Sequence, residues 1–320
     1  MRLLAYVAAL LAAIAFGVPA GAQTYPNKTV RFVVPYQAGQ GTDVAARYVA
    51  ERLRAVLGQQ VFVDNKPGAG GNIGTEAAAH SPNDGYTLLM GTVATQTMNE
   101  FLYPSTGYDS DKDFAPIILV GMLPMVISAN PEFPAKTIPE LIAAAKAQPD
   151  KINIALPSTT ARIVYELFKA RTGAPLFGVP YKASATAMTE TLGGQVPLII
   201  DTATATRGHV QAGKLRPISI TTPKSSELLP GVKSVAEQGV DGFEVTAWAA
   251  LYAPRGTPQA IVDRLNAEVA KILALPETRQ RLLQLGFEPT SGTPAQLAAF
   301  EKQERAKWGP LIKAAGLKAD

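Results

Sequence analysis

Hydrophobic positions along this chain alternate between short continuous runs and runs at helical spacing. Val30 to Val34 is a continuous apolar run, which is typical of a strand buried in a parallel sheet. Between Ala45 and Leu57 the apolar residues recur every three or four positions, and Gly58 is placed to end that helix. Apolar runs at 61–63 and 86–90 predict the next two strands. Strand, helix and strand in this order predict the βαβ unit of a parallel sheet.

The same alternation continues through the rest of the chain. Three segments, 137–140, 234–237 and 293–296, place Ser or Thr three residues before Glu or Gln, which is the capping-box spacing of a helix start. Apolar runs at 152–156 and 196–200 predict further strands. The sequence contains no internal repeat and no low-complexity linker. The pattern therefore predicts an α/β protein throughout.

The amino terminus has the pattern of a signal peptide. Arg2 provides a positive charge, residues 3–18 form an almost unbroken apolar run, and residues 20–22 give the small-x-small sequence that a signal peptidase reads. A transmembrane anchor is the alternative, but a spanning helix needs about 20 apolar residues and this run is shorter. We therefore predict a signal peptide at 1–22, cleavage after Ala22 and a mature protein in the periplasm.

Length and charge narrow the class of protein. The chain has 320 residues, more than a single hydrophobic core usually serves, so two lobes are expected. Its formal net charge is only +4 and its basic residues are scattered, which argues against a nucleic-acid partner. It contains no cysteine, and an exported chain of this length does not depend on disulfides because it can bury enough apolar surface without them.

Loops rich in Gly, Ser, Thr and Asn follow the predicted strands. They lie at 37–43, 68–74, 91–95, 157–160 and 201–202. Backbone N–H groups and hydroxyls are donors that hold an oxyanion, and in an open α/β sheet such loops meet at the carboxyl ends of the strands. Each loop taken alone is also explained as a cap or a turn. Together, five such loops at strand ends predict a shared anion site.

Asp43 stands at the end of the first of these loops, and two interpretations of its carboxylate are open. A carboxylate repels an anionic ligand, so Asp43 is not itself a receptor for one. The favoured interpretation is a helix cap that accepts from the amide of its own N2 or N3 residue. In the alternative, Asp43 fixes a water molecule or accepts a hydrogen bond from an amine of the ligand.

Signatures of catalysis and of metal binding are missing from the sequence. His80 and His209 are the only histidines, neither lies in a cluster with Asp or Glu, and the nucleophile-elbow, zincin and P-loop motifs do not occur. Gly68, Gly70 and Gly74 resemble a dinucleotide fingerprint, but their spacing differs from G-x-G-x-x-G. We therefore expect no enzyme, no metal and no cofactor. An NAD(P)-dependent oxidoreductase is the least favoured alternative.

Several longer motifs occur in order along the chain. They are Tyr25 to Lys28, Arg31 to Pro35, Gly41 to Asp43, Val63 to Thr75, Pro82 to Leu89, Val179 to Lys182, Leu192 to Gln195, Ala212 to Arg216, Trp248 and Ala253 to Pro258. In these segments the chain resembles the substrate-binding proteins of tripartite tricarboxylate transporters, the TctC-like or Bug family. The resemblance covers nearly all of the predicted mature chain, and its longest motif is specific to the family.

The resemblance implies a two-lobed fold of the type II periplasmic-binding-protein class, the Venus flytrap, in which each lobe is a mixed sheet flanked by helices. Lobe 1 would comprise 24–122 plus 246–320 and lobe 2 would comprise 123–245, with hinge crossings near 122 and 246. Such a protein captures a small carboxylated solute (an organic acid, an amino acid or an aromatic acid) without chemical change. Its partner would be a membrane permease of two subunits or, alternatively, a sensor kinase, and the protein is expected to act as a monomer.

The resemblance also implies which residues bind the ligand. The first pincer loop would contribute Tyr36, Gln37, Ala38, Gly39, Gly41, Thr42 and Asp43. The wall of lobe 1 would contribute Asn72, Gly74, Thr92 and Thr95. Lobe 2 would close over the ligand with Ser158, Thr159, Thr160, Tyr181, Lys182 and Asp201.

Two segments depart from the family pattern. Gln40 stands among the glycines of the first pincer loop, and the loop at 156–162 is two residues shorter than its usual form. Arg162 lies where a histidine often occurs, and we hypothesise that it pairs with a second carboxylate of the ligand through a charge-assisted contact. A solvated helix arginine is an equally open alternative.

Overall fold

A computed structural model of the protein describes residues 25–314 and 316–319. The predicted signal peptide at 1–22 and the cleavage after Ala22 lie outside these residues. The described strands are β1 (Val30–Val34), β2 (Val61–Asn65), β3 (Thr87–Thr92), β4 (Phe114–Ala129), β5 (Asn153–Leu156), β6 (Phe177–Pro180), β7 (Leu198–Thr202), β8 (Arg216–Ile220), β9 (Thr246–Pro254) and β10 (Glu288–Pro289).

Helices connect most of these strands. The described α-helices are α1 (Gly41–Leu57), α2 (Asn72–Ala79), α3 (Asn99–Leu102), α4 (Ile138–Ala147), α5 (Thr159–Thr172), α6 (Ser184–Leu192), α7 (Ala203–Gln211), α8 (Gln259–Ala274), α9 (Pro276–Gln284) and α10 (Pro294–Ala314). Short 3-10 turns occupy Ala69–Gly71 and Ala236–Gln238, and a π-helical turn occupies Ala94–Met98. Within the described part of the chain, none of these helices combines the length and the apolar character needed to cross a membrane.

The strands form one mixed sheet with the order β2-β1-β3-β9-β4-β7-β5-β6, and β8 and β10 also pair with β4. In the first half of the sheet, β1 pairs in parallel with β2 and β3. In the second half, β5 pairs in parallel with β6 and β7. Antiparallel pairs involving β4 and β9 lie between the two halves. The predicted α/β class is therefore confirmed, and β1, α1 and β2 are the predicted βαβ unit.

Strand β4 joins the two halves of the sheet. Its residues 114–124 pair with β9, whereas its residues 125–129 pair with β7. The register with β9 shifts between Pro116 and Ile118 and again between Leu119 and Gly121. Such bulges bend a strand and increase its twist, so β4 is not straight along the stretch that pairs with β9.

Helix α1 illustrates how the sequence produces these elements. Val49 and Leu53, two of its apolar residues at helical spacing, are fully buried beneath the helix. Burial of a side chain of this size contributes about 1.5–3 kcal/mol. Gly58 ends the helix with φ 67°, the left-handed conformation that glycine adopts without strain, and its N–H donates to the Arg54 carbonyl at 3.1 Å. The helix positions its first residue, Gly41, at the carboxyl end of β1.

Candidate functional site

A narrow cleft lies where the carboxyl ends of β1, β3, β5 and β7 meet β4 and β9. Its volume is about 50 Å³, which is room for only a few water molecules at about 10–15 Å³ each. The walls therefore stand close together in this conformation. The cleft is lined by Tyr36, Gln40, Gly41, Thr42, Thr92, Ala94, Leu123, Met125, Ser158, Thr159, Thr160, Ser184, Asp201, Thr202, Ala247 and Trp248.

Four helices begin at this cleft. Gly41, Thr159 and Ser184 are the first residues of α1, α5 and α6, and Thr202 is the N-cap of α7. The start of a helix carries N–H groups without helical partners and a partial positive charge. Four helix starts that converge on one cleft produce a field that favours an anion. Four of the five loops predicted to form a shared anion site contribute residues to this cleft, whereas the loop at 68–74 contributes none. The binding of an anion here remains a prediction.

Side chains already cap two of these helices. Ser158 Oγ accepts from the Ala161 N–H at 3.1 Å, and Thr202 Oγ1 accepts from the Ala205 N–H at 3.3 Å. Gln40 is the N-cap of α1, and its side chain makes no capping hydrogen bond. The N–H groups in the first turn of α1 are therefore not satisfied by a cap, which leaves them as donors for a bound anion.

The wall in the first half of the sheet is built on hydroxyl contacts. The hydroxyls of Tyr36 and Thr92 share a hydrogen bond of 2.8 Å, and the Thr92 N–H donates to Thr95 Oγ1 at 3.0 Å. Burial raises the pKa of Tyr36 to about 12, although the hydrogen bond with Thr92 lowers it. The phenol therefore stays protonated near neutral pH and remains a hydrogen-bond donor.

Asp43 does not cap its own helix, so the favoured interpretation of this residue was wrong. It is the third residue of α1, and its Oδ2 accepts from the Gly39 N–H at 2.8 Å and from Arg47 Nε at 2.9 Å. Its Oδ1 accepts from Asn65 Nδ2 at 2.8 Å, and the same amide donates to the Tyr36 carbonyl at 3.0 Å. The carboxylate therefore fastens the loop before α1 to the end of β2.

The ionisation of Asp43 follows from these contacts. Burial raises its pKa, but the hydrogen bonds from Arg47, Gly39 and Asn65 outweigh burial and hold the pKa below its ordinary value. Both oxygens are occupied by protein donors, and the residue is only 1% exposed. The structure therefore gives Asp43 a positioning role behind the cleft, and a contact with the ligand remains a prediction.

The other predicted residues of the first half divide into an exposed group and a buried group. Gln37, Ala38 and Gly39 are exposed at the tip of the loop, outside the cleft lining. Asn72 is buried behind the wall, where its Oδ1 accepts from Asn99 Nδ2 at 2.7 Å. A Cβ at Gly74 would stand 2.6 Å from the Lys66 carbonyl oxygen and 2.8 Å from Pro35 Cα, so this glycine lets α2 pack against the ends of β1 and β2.

The predicted residues of the second half divide into those that line the cleft and those that lie outside its lining. Ser158, Thr159, Thr160 and Asp201 line the cleft. Tyr181 lies outside the lining, and its hydroxyl donates to Glu190 Oε2 within the second half. Lys182 is exposed and Arg162 is half-buried on α5, and neither belongs to the lining. Direct contacts of these three residues with a ligand remain predictions.

The cleft also has an apolar side that the site prediction did not include. Leu123 and Met125 come from β4, and Ala247 and Trp248 come from β9. These two strands were not predicted from the sequence, so their inward side chains could not be placed. Trp248 is one of the residues that carry the family resemblance, and this was the one signal in the sequence that could have placed it at the site. The cleft therefore combines hydrogen-bond donors on its helix starts with an apolar surface on its central strands.

Asp201 is the one carboxylate among the described residues that line the cleft. It lies near the end of β7 and is 2% exposed. Its Oδ1 accepts from the Thr202 N–H at 2.7 Å, whereas its Oδ2 accepts no hydrogen bond. Burial raises its pKa to about 6, although the Ser184 hydroxyl and the Thr202 N–H lower it.

The described residues contain no group of three or more His, Cys, Asp or Glu side chains that could hold a metal ion. His80 lies at the end of α2 and His209 lies in the last turn of α7, and neither belongs to the cleft lining. The lining residues are suited to hydrogen bonding and to apolar packing.

Comparisons with known proteins agree with this geometry. A family model described as the tripartite tricarboxylate transporter family receptor, TctC, matches residues 45–317. Protein BugT of Bordetella pertussis is 36% identical over 320 residues, which cover 99% of this chain and 98% of that protein.

Two solved structures from Rhodopseudomonas palustris have the same fold over nearly the whole chain. Rpa4515 with adipate has a TM-score of 0.89 and 35% identity, and the match covers 92% of this chain and 99% of that one. MatC with bound malate has a TM-score of 0.84 and 31% identity, and the match covers 90% of this chain and all of that one. Periplasmic binding protein BugD has a TM-score of 0.86 and 37% identity, and the match covers 92% of this chain and all of that one. This match confirms the periplasmic-binding-protein fold that was predicted from the resemblance.

Proposed function

We propose, because this chain belongs to the tripartite tricarboxylate transporter receptor family, that it captures one small carboxylated solute in its cleft and releases it unaltered to a membrane permease. The observation that carries the proposal is the convergence of four helix starts on one cleft. N–H groups and helix dipoles are suited to a carboxylate, and they hold it without supplying a nucleophile.

The residues that line the cleft support a ligand with a carboxylate group and an apolar carbon skeleton. None of the described lining residues carries a positive charge, so the anion would be met by N–H groups and hydroxyls. Removing a carboxylate from water is unfavourable unless several donors replace the lost hydration together. Leu123, Met125 and Trp248 would pack against the carbon skeleton. The adipate and malate bound by the two similar structures are small carboxylates of this kind.

Closure of two lobes would supply those donors together. We assign 24–122 plus 246–320 to lobe 1 and 123–245 to lobe 2, with crossings near 122 and 246. The change of partner in β4 at residues 124–125 and the start of β9 at Thr246 support this division. A ligand that contacts both lobes stabilises the closed form in proportion to the contacts that only this form provides.

The proposal also includes localisation in the periplasm and cleavage of the signal peptide. The mature protein would begin after Ala22 and act as a monomer, and a permease of two membrane subunits would accept its ligand. The family description supports a transporter partner. Two adjacent genes for membrane proteins would support this partner further, whereas a neighbouring sensor-kinase gene would favour a signalling role.

A thermal-shift screen tests the function. Purified mature protein would be heated with increasing concentrations of adipate, malate, benzoate or glutamate. A ligand present at about 100 times its dissociation constant adds about 2.7 kcal/mol to the free energy of unfolding. Methyl esters of the same acids, which lack the carboxylate charge, are the control and are expected to give no shift. Failure of every acid, or chemical turnover of a bound acid in mass spectra, would contradict the proposal.

A further inference from the structure

Asp201 has an arrangement that the capture of an anion does not explain. Its carboxylate points into a cleft built from helix starts, where an ionised group would occupy the place suited to the ligand's charge. One of its oxygens is satisfied by the Thr202 N–H, and the other accepts no hydrogen bond. The Ser184 hydroxyl, at the start of α6, lies near enough to lower the pKa of the carboxyl but makes no hydrogen bond to it. A buried carboxylate oxygen without a donor is unusual in a folded protein. This oxygen is therefore available to a group that enters the cleft.

The surroundings of Asp201 contain no cation that holds it ionised. The strands on either side of β7, which are β4 and β5, carry no titratable side chain. The helices that pack on β7 are α5, α6 and α7, and none of their titratable groups contributes to the pKa of Asp201. These groups are Arg162, Tyr165, Glu166, Lys169, Arg171, Glu190, Arg207 and His209. Across the cleft, the titratable lining residue is Tyr36, which stays neutral.

A second carboxylate entering this cleft changes the balance of charge. Two carboxylates that share one site cannot both ionise without strong repulsion, and a single proton held between them removes it. Burial already raises the pKa of Asp201 to about 6 before any anion is bound, and a ligand carboxylate beside it would raise that pKa further. The proton comes from solvent: an O–H bond forms on the Asp201 carboxylate, and one breaks in the hydronium ion or buffer acid that supplies the proton.

We propose that Asp201 binds the ligand as a carboxylic acid, whose O–H donates to a carboxylate oxygen of the solute, so that capture takes up one proton. The inference rests on the proposed function, because it assumes that the ligand is an anion. It makes Asp201 a specificity-determining residue, since an ionised Asp201 would instead select a solute that carries an ammonium or hydroxyl donor. The structure assigns this role to the Oδ2 oxygen, which accepts no hydrogen bond within the described chain.

Calorimetric titration of the wild-type protein is the first test. Adipate, malate and benzoate would be titrated between pH 6.5 and 8.5, where the acids are ionised, in buffers with different ionisation enthalpies. The expected result is a dissociation constant that rises by up to about tenfold per pH unit, with uptake of close to one proton for each acid bound. A dissociation constant that stays flat with pH, without proton uptake, would overturn the inference while the proposed function stands. No binding at any pH overturns both.

Substitution identifies the group that carries the proton. Asp201→Asn places a permanent amide donor at the same position, so its affinity is expected to be independent of pH and within a few-fold of the wild-type affinity at pH 6.5. Glu301→Gln is the matched control, because Glu301 is a buried carboxylate with a raised pKa outside the cleft, and this variant should keep the wild-type pH dependence. If Asp201→Asn loses binding more than a hundredfold at every pH, Asp201 accepts from the ligand and the inference is wrong.

Discussion

Gly41 and Thr202 stand at the starts of helices on opposite sides of the cleft, close enough that a side chain at position 41 would contact Thr202. A Cβ at Gly41 would lie 3.3 Å from Thr202 Oγ1 and 2.8 Å from Leu123 Cδ2. Neighbouring atoms must shift at the shorter of these distances, because carbon atoms in contact are normally about 3.5–4.0 Å apart. The missing side chain at Gly41 therefore allows the two halves of the sheet to approach as closely as they do in this conformation.

Gly41→Ala is expected to weaken ligand binding by about 5-fold to 150-fold. The added methyl group overpacks the closed cleft at a cost of about 1–3 kcal/mol, whereas an open form with separated walls avoids the contact. Titration of the ligand found in the thermal-shift screen measures the loss. Gly208→Ala in α7 is the matched control, because a Cβ there meets no atom within 4 Å. Equal affinity of Gly41→Ala and the wild type would show that closure does not bring these residues together in solution.

Asp43→Asn is expected to lower the free energy of unfolding at pH 7 by about 1–3 kcal/mol. The substitution removes the charge of a buried carboxylate that accepts charge-assisted hydrogen bonds from Arg47 and Gly39. The pKa of Asp43 lies below its ordinary value in the folded state, so its contribution is present above that ordinary value and is lost as the pH falls through the folded-state pKa. Urea unfolding at pH 7 and at pH 3 measures both effects.

The control for this variant is Asp64→Asn. Asp64 pairs with Arg31 and Lys66 at 3.8 Å in a half-exposed position, and such pairs contribute less than about 1 kcal/mol. A change at Asp43 no larger than the change at Asp64 would contradict the positioning role that we assign to Asp43.

Glu301→Gln is expected to stabilise the protein at pH 8 and to leave its stability unchanged at pH 4. Burial raises the pKa of Glu301 from 4.5 to about 7, although the Tyr252 hydrogen bond and Arg305 lower it. The folded state therefore holds a proton that the unfolded state loses, and stability falls as the pH rises from about 4.5 to about 7. Glutamine has no carboxyl group to ionise, so the variant avoids this fall in stability, which amounts to about 3 kcal/mol at pH 8. Its side-chain oxygen still accepts the hydrogen bond from Tyr252.

Thermal unfolding at both pH values measures this difference. Glu51→Gln on the exposed face of α1 is the control and should change stability by less than about 0.5 kcal/mol at either pH. Equal melting temperatures for Glu301→Gln and the wild type at pH 8 would show that the Glu301 carboxylate is not held protonated by the fold.

Short sequence motifs predicted the helix starts, because a helix start is stabilised by hydrogen bonds between residues that are close in the sequence. The segment 293–296 forms a complete capping box, since Thr293 Oγ1 accepts from the Gln296 N–H at 3.2 Å and Gln296 Oε1 accepts from the Thr293 N–H at 2.8 Å. The segment 234–237 has the same reciprocal pair of hydrogen bonds, but it starts only a 3-10 turn, Ala236–Gln238. A capping box satisfies backbone donors wherever the chain turns into a helix, so it predicts the start of a helix and not its length.

The strands that unite the molecule could not be predicted in this way. Strand β4 contains Pro116, Gly121 and Pro124, and such residues normally argue against a central strand because proline cannot donate to the ladder. Two of them, Pro116 and Gly121, lie at the register shifts, where the ladder is already interrupted. Tertiary pairing with β9 and β7 decides the conformation here. The apolar side of the cleft depends on these strands, so it was missed together with them.

Arg162→Ala tests the hypothesis that the Arg162 guanidinium pairs with a second carboxylate of the ligand. In the closed cleft Arg162 is half-buried on α5 and lies outside the lining, so we expect the variant to change the affinities for adipate and benzoate by the same small factor. A charge-assisted hydrogen bond contributes about 1.5–3 kcal/mol. Loss of a true pairing would therefore weaken the binding of adipate by about tenfold or more and leave the binding of benzoate unchanged. Lys169→Ala, at the other end of α5, is the matched control because it removes one positive charge from the same helix. A selective loss of adipate in the Arg162 variant alone would establish the pairing, and it would require the open cleft to admit Arg162 before closure.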